Sequence, residues 1–165
     1  MSQLETNEAA FLELIAFAEG TSREKDPYRV CYGYRHVIQD LANHPTITGE
    51  WAGEKLSDEM CRKAGFNPGC KSTAAGKYQI IRPTWMGLKK KLFLKDFGPV
   101  SQDRACLELL RSADALDDIH AGKLPEAVRK ARSVWASLPG AGYGQPERRI
   151  TDLQAIFIKS GGILA

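Results

Sequence analysis

Several things are scarce in this chain of 165 residues, and each scarcity excludes something. Cysteine occurs four times, at positions 31, 61, 70 and 106, which is too few and too scattered for a disulfide scaffold. No CxxC pair suggests zinc. Free thiols are the plain reading; if one pair closes, Cys61–Cys70 is the best candidate, because Asn67-Pro68-Gly69 between them can turn the chain back. The three histidines, His36, His44 and His120, show no ligand spacing, so neither a metal nor a cofactor is expected. No apolar run is long enough to span a membrane. The beginning, Ser2-Gln3-Leu4-Glu5 with Glu8 and Glu13 after it, lacks the basic and then apolar pattern of a secretory leader. The expectation is a protein made in the cytoplasm that stays there until something else releases it.

Charge of one sign is not abundant either. Lys plus Arg number 23 and Asp plus Glu 20, a net charge of +3, mild enough to fit an anionic partner without requiring one. The only basic run, Lys89-Lys90-Lys91, reads as a solvated helix face, so nucleic-acid binding is not expected. What is present is an ordinary globular balance, 43% hydrophobic and 26% charged, which excludes a mostly disordered chain, a collagen-like fibre and a pure coiled coil. A chain of this length makes one domain and buries roughly 68–70% of its unfolded surface, so neither metal nor disulfide is needed to hold it together.

The first helix is announced by the possible capping box Ser2-Gln3-Leu4-Glu5, by Phe11, Leu14, Ile15 and Ala18 at helical spacing, and by Gly20 as a stop. From Gly20 to Lys71 the helical rhythm fails. Tyr32 to Ile38 suggests short strands and turns, and Ser57 caps a helical turn reaching Ala64. Beyond residue 82 the chain reads as helical. Pro83 opens one helix, Ser101 caps a second, Asp114 to His120 forms a third closed by Gly122, Pro125 opens a fourth carrying Val128 to Trp135, and Pro146 opens the last, closed by Gly161. The fold class is α+β: a β lobe over about 24–82 and a helical lobe over about 83–165 joined by the N-terminal helix.

Glu19 does not fit its helix. At about 100° per residue it lies roughly 80° round from Phe11, between Leu12 and Ile15, on the flank of the apolar stripe. Burial disfavours its charge, and so does the partial negative charge at a helix C-terminus. A carboxyl group still protonated near neutral pH is what a general acid must be. The plain alternative is an exposed glutamate at a frayed helix end. Two other stretches stand out. Ser72 to Gln79, STAAGKYQ, reads as a tight turn into a short strand, with Tyr78 and Gln79 offering stacking and hydrogen bonds; a hairpin turn with no further role is the alternative. Trp135 to Gln145, WASLPGAGYGQ, holds Tyr143 out on glycine-rich backbone, with packing of that ring into a core as the equal alternative.

Five stretches taken together resemble, in order, the lambda-type bacteriophage endolysins: AFAEGT ending at Thr21, His44-Pro45, STAAGKYQ, LKDFGPVSQD from Leu94 to Asp103, and WASLPGAGYGQ. The resemblance runs along nearly the whole chain, and the last stretch is the most specific. It is weakest from about Glu24 to Lys71. There one member of the family has an aspartate after a Gly-Tyr pair, whereas Gly33-Tyr34 is followed here by Arg35, and the stretch Glu50 to Cys70 is longer than expected, as if it enlarged a lip of the β lobe.

The resemblance implies a monomeric, lysozyme-like enzyme, with lobes around a cleft, that degrades peptidoglycan. It implies cleavage of the β-1,4 bond between N-acetylmuramic acid and N-acetylglucosamine as a lytic transglycosylase, after release through a membrane permeabilised by a holin. On this chain it makes Glu19 catalytic and places Ser72, Gly76, Tyr78, Gln79 and Tyr143 on the glycan. A muramidase using water, with Asp26 or Asp40 as base, and a wall-binding protein without activity are the rival readings.

Overall fold

The computed structural model describes residues 1–142 and 146–165. In chain order its elements are α1 (Gln3–Glu19), α2 (Pro45–Thr48), β1 (Glu54–Lys55), α3 (Asp58–Lys63), β2 (Lys71–Ser72), α4 (Arg82–Leu92), α5 (Pro99–Ser112), α6 (Leu116–His120), α7 (Leu124–Ala131) and α8 (Ile150–Lys159), with 3-10 turns at Thr21–Arg23 and Pro27–Arg29. The chain forms two compact units, residues 1–23 with 106–165 and residues 24–105. The division falls inside α5, not at residue 82 where the change of sequence rhythm suggests it.

The first unit is organised by α1. Ser2 Oγ accepts from Glu5 N at 3.3 Å while the Glu5 carboxylate accepts from Ser2 N at 2.8 Å, so the capping box forms. At the other end Gly20 takes φ 83°, and its N–H donates to the Phe17 carbonyl at 3.0 Å. That left-handed turn stops the helix where a side chain would be strained. Phe11, Leu14 and Ile15 are fully buried, and α1 packs on α6 and α8. Each such side chain contributes roughly 1.5–3 kcal/mol by leaving water. Asn7 is buried too, and it is satisfied: its Nδ2 donates to the Ile119 and Ile163 carbonyls, and its Oδ1 accepts from Ile163 N at 2.8 Å. It thereby ties the C-terminal segment to α1 and α6.

The second unit contains very little sheet. β1 and β2 pair antiparallel, Glu54 opposite Ser72 and Lys55 opposite Lys71, and the stretch expected to hold short strands makes only the bridges Val30–Val37 and Cys31–Ala75. Its core is aromatic. The Phe97 ring stands edge-on to Trp85 at 4.7 Å and to His44 at 5.1 Å, and Trp85 Nε1 donates to Asn43 Oδ1 at 3.0 Å. These contacts carry α4 and the start of α5 into this unit. Burial pulls the His44 pKa down to about 4, so its ring is neutral. Its Nε2 lies 3.1 Å from the Ile80 carbonyl and must carry the proton, which leaves Nδ1 to accept from Thr46. Cys61 and Cys70 form a disulfide across the Asn67-Pro68-Gly69 turn, whereas Cys31 and Cys106 are buried and outside any disulfide. Closing so short a loop stabilises by about 2–3 kcal/mol.

Local signals mark most helix starts, with instructive exceptions. Ser57 caps α3 through Met60 N at 3.2 Å, and Pro83 and Pro125 stand in the first turns of α4 and α7. Ser101 does not cap α5. The helix begins at Pro99, and Asp96 Oδ1 instead collects Gly98 N and Ser101 Oγ, each at 2.8 Å. Helix α7 ends at Ala131, short of Val134 and Trp135. Pro146 does not open α8 either, which starts at Ile150. Arg149 is the N-cap residue of α8, and Glu147 and Arg148 before it are used otherwise, as the site shows.

Candidate active site

Glu19 is the last residue of α1, where the helix carbonyls have no partners further along the helix and the partial charge is negative. The residue keeps a little exposed surface, but its carboxyl group is packed densely enough for desolvation to dominate. Burial raises its pKa to about 7, against the opposing pull of Ser137 and of the Arg148 charge. Both neighbours belong to the same compact unit and come from far along the chain. Ser137 is buried, and its Oγ makes no regular hydrogen bond among the described residues, yet it stands close enough to favour the charged form of Glu19. Arg148 stacks over the Phe17 ring at 5.4 Å and donates from Nε to the Ala18 carbonyl at 3.2 Å. Its backbone N–H bonds the Ser137 carbonyl at 2.8 Å. Arg148 thus joins the end of α1 to the turn that carries Ser137.

The glycine-rich stretch beyond Ser137 is anchored by Glu147. One of its carboxylate oxygens accepts from Gly140 N and the other from Gly142 N, each at 3.0 Å, and these bonds lower its pKa. At Gly140, φ 79°, a Cβ would come within 2.6 Å of the Arg132 guanidinium, so the backbone conformation and the close approach both call for glycine. Trp135 and Leu138, which precede this stretch, are buried. The segment after Pro146 therefore binds the loop rather than starting a helix. Tyr143 lies outside the described residues. Ser137, Glu147 and Arg148 were not singled out by sequence. Ser137 sits inside the WASLPGAGYGQ run, but nothing in the sequence joins Glu147 and Arg148 to Glu19.

STAAGKYQ belongs to the second unit, where the structure gives a different account of two of its four selected residues. Tyr78 is 1% exposed and its hydroxyl donates to Asp103 Oδ1 at 2.6 Å, where Tyr28 also donates at 3.0 Å. Its ring is a packing element, not a stacking surface for a ligand. Gly76, φ 81°, is buried; a Cβ there would meet Gln102 Oε1 at 2.3 Å. That glycine serves the contact with Gln102, which also accepts from Lys77 N at 2.9 Å. Ser72 and Gln79 are partly exposed. Gln79 closes the turn by donating from Nε2 to the Gly76 carbonyl at 2.9 Å. The same unit holds an open cavity of about 550 Å³ whose lining includes Glu24, Asp26, Arg29, Tyr34, His36 and Val37; Asp26, the base of the rival water-using reading, is among them, whereas Ser72, Gly76, Tyr78 and Gln79 are not. Among the described residues no group of three or more His, Cys, Asp or Glu side chains could hold a metal ion.

A chemical arrangement of one buried acid flanked by a hydroxyl and a guanidinium is joined by clear similarity to known proteins. Residues 9–164 match the family model described as Endolysin. The chain is 39% identical over 159 residues to the endolysin of Escherichia phage P2, covering 96% of this chain and 95% of that one. It is 36% identical over 162 residues to the endolysin of Escherichia phage lambda, covering 98% and 96%. Two solved structures of bacteriophage lambda lysozyme, one of them complexed with a chitohexasaccharide, superpose over the whole of both chains with TM-scores of 0.81 and 0.78 at 36% and 34% identity. The fold is therefore α+β and lysozyme-like, and the chain belongs to the endolysin family of peptidoglycan-degrading enzymes.

Proposed function

We propose that this endolysin is a lytic transglycosylase and that Glu19 is its single catalytic carboxyl group. The observation that carries the proposal is the raised Glu19 pKa, about 7, which keeps a proton available near neutral pH. Protonated Glu19 gives that proton to the glycosidic oxygen as the bond to N-acetylmuramic acid breaks. The resulting carboxylate takes the proton of the same sugar's C6 hydroxyl, which attacks C1 and closes a 1,6-anhydro ring. Glu19 ends the cycle protonated and no water is consumed. A tethered hydroxyl benefits from a high effective concentration. Because the N-acetyl oxygen shares the charge at C1, no second enzyme carboxylate is needed, in contrast to paired-carboxylate glycosidases.

The carboxylates that a water-using muramidase would recruit have local duties, which favours the one-carboxylate reading. Asp26 pairs with Arg29 at 3.1 Å and accepts from Tyr28 N, and Asp40 accepts from Ala42 N at 2.8 Å. The chitohexasaccharide in the lambda lysozyme structure supports a glycan substrate. We assign glycan contact to Ser72 and Gln79, with Gly76 and Tyr78 framing the turn that holds them, and keep Tyr143 as a glycan-binding candidate. The enzyme acts as a monomer, synthesised in the host cytoplasm and reaching the wall through a holin-permeabilised membrane. Digestion of purified peptidoglycan followed by mass analysis of the ends tests the chemistry. Anhydro ends are expected, and reducing ends would overturn the transglycosylase reading.

A further inference from the structure

Helix α4 has two faces of opposite character. Trp85 and Leu88 are buried, as is Leu94 just beyond the helix. The other side presents Met86, 51% exposed, and the C-cap residue Phe93, 87% exposed. At about 100° per residue, Lys90 stands roughly 40° to one side of Met86 and Lys89 roughly 60° to the other. Lys95 follows, exposed, two residues after Phe93. The exposed face therefore consists of two large apolar side chains bordered by ammonium groups.

The position of Phe93 results from the way the helix ends. Its backbone is left-handed, φ 53°, a conformation that glycine or asparagine takes at a helix terminus with less strain. The N–H groups of Phe93 and Leu94 both bond the Lys89 carbonyl, which turns Leu94 into the core and leaves the Phe93 ring outside. The neighbouring acid, Asp96, is held ionised by Gly98 N and Ser101 Oγ and is attracted to Lys89, so it offsets one of the three ammonium groups and the patch remains net positive through the others. Aromatic and thioether groups bordered by lysines form the pattern of a surface that lies at the boundary between lipid headgroups and acyl chains.

We propose that this face docks on an anionic phospholipid bilayer, with Phe93 and Met86 entering the headgroup region and Lys89, Lys90 and Lys95 meeting the phosphates. Such docking would hold the enzyme at the envelope, and it stands apart from the transglycosylase reading. The test is co-sedimentation of the full-length protein with vesicles of phosphatidylcholine alone or mixed with phosphatidylglycerol, at low and high salt. Partition to the mixed vesicles at low salt, and its loss at high salt, is the expected result. The triple variant Lys89→Gln/Lys90→Gln/Lys95→Gln should weaken partition about a hundredfold. Phe93→Asn, which keeps a residue suited to the left-handed backbone, should weaken it about tenfold while leaving fragment release from purified peptidoglycan unchanged. The proposal is overturned by absence of partition at low salt, by equal partition to phosphatidylcholine alone, or by an unaltered Phe93→Asn variant.

Discussion

Helix α1 carries one glutamate in its first turn and another as its last residue, and the two have opposite chemistry. Glu5 is bonded by the Ser2 backbone N–H and by the Ser2 hydroxyl, and its pKa is lowered. Glu19 has the helix carbonyls behind it and packed side chains around it, and its pKa is raised to about 7. The side chain is the same, so the difference lies in what surrounds the charge. At the N-terminus, backbone N–H groups and exposure to water stabilise an anion; at the C-terminus, burial and carbonyl dipoles destabilise it. Glu147 confirms the rule from a loop, where two glycine N–H groups lower its pKa as Ser2 lowers that of Glu5. One helix thus has a structural carboxylate at one end and, at the other, an acid that holds its proton.

The largest expected effect breaks the comparison at its catalytic end. Glu19→Gln should lower peptidoglycan turnover by about a thousandfold, the range for losing a general acid. The same variant should gain stability at alkaline pH. The unfolded carboxyl group titrates near 4.5 and the folded one near 7, so between them the folded state holds a proton that the unfolded chain releases. Wild-type stability therefore falls as pH rises through that window and levels off above it, a loss of up to about 3 kcal/mol that glutamine does not suffer. Denaturant unfolding of both proteins at pH 4 and pH 8, taken as roughly the two sides of the window, measures it. An active Glu19→Gln enzyme would end the catalytic assignment.

The pH profile is the next measure. Activity should decline about tenfold per pH unit above the Glu19 pKa. Because Arg148 and Ser137 both lower that pKa, Arg148→Met and Ser137→Ala should move the alkaline limb to higher pH, and a limb that stays in place in both variants would show that neither neighbour acts on Glu19.

Smaller effects sharpen the contrast at the other anions. Glu147→Gln weakens the acceptor of Gly140 and Gly142, and turnover should fall by a few-fold, about as expected for a disturbed binding loop, with no displacement of the pH limb. Ser2→Ala removes the cap of α1 and should cost about 1 kcal/mol, read by thermal unfolding, with activity per folded molecule unchanged.

The sequence shows the comparison unevenly. The chemistry of Glu5 is fully legible, because its partner is three residues away and a capping box is a local pattern. That Glu19 is unusual is legible from its place on the flank of the apolar stripe. Which groups surround it is not, because Ser137 and Arg148 reach it only when the chain folds back on itself. The same limit explains Tyr78. Its neighbours in sequence suggest a ligand-facing aromatic, but whether it faces inward depends on Asp103, which local spacing cannot locate.

By itself the sequence determined the elements whose signals span a turn or less. These are the start of α1 at Ser2 and its stop at Gly20, the cap of α3 at Ser57, the proline starts of α4 and α7, and the α+β class of the whole. Through family likeness it also pointed to Glu19. Tertiary structure alone decided that α4 belongs with residues 24–105, that Asp96 displaces Ser101 at the start of α5, and that α8 opens at Arg149, after Glu147 has bound Gly140 and Gly142, instead of at Pro146. The physical reason is one of range. Caps and turns satisfy backbone groups within a few residues, whereas desolvation and packing depend on which distant atoms arrive, and it is those atoms that give Glu19 its pKa.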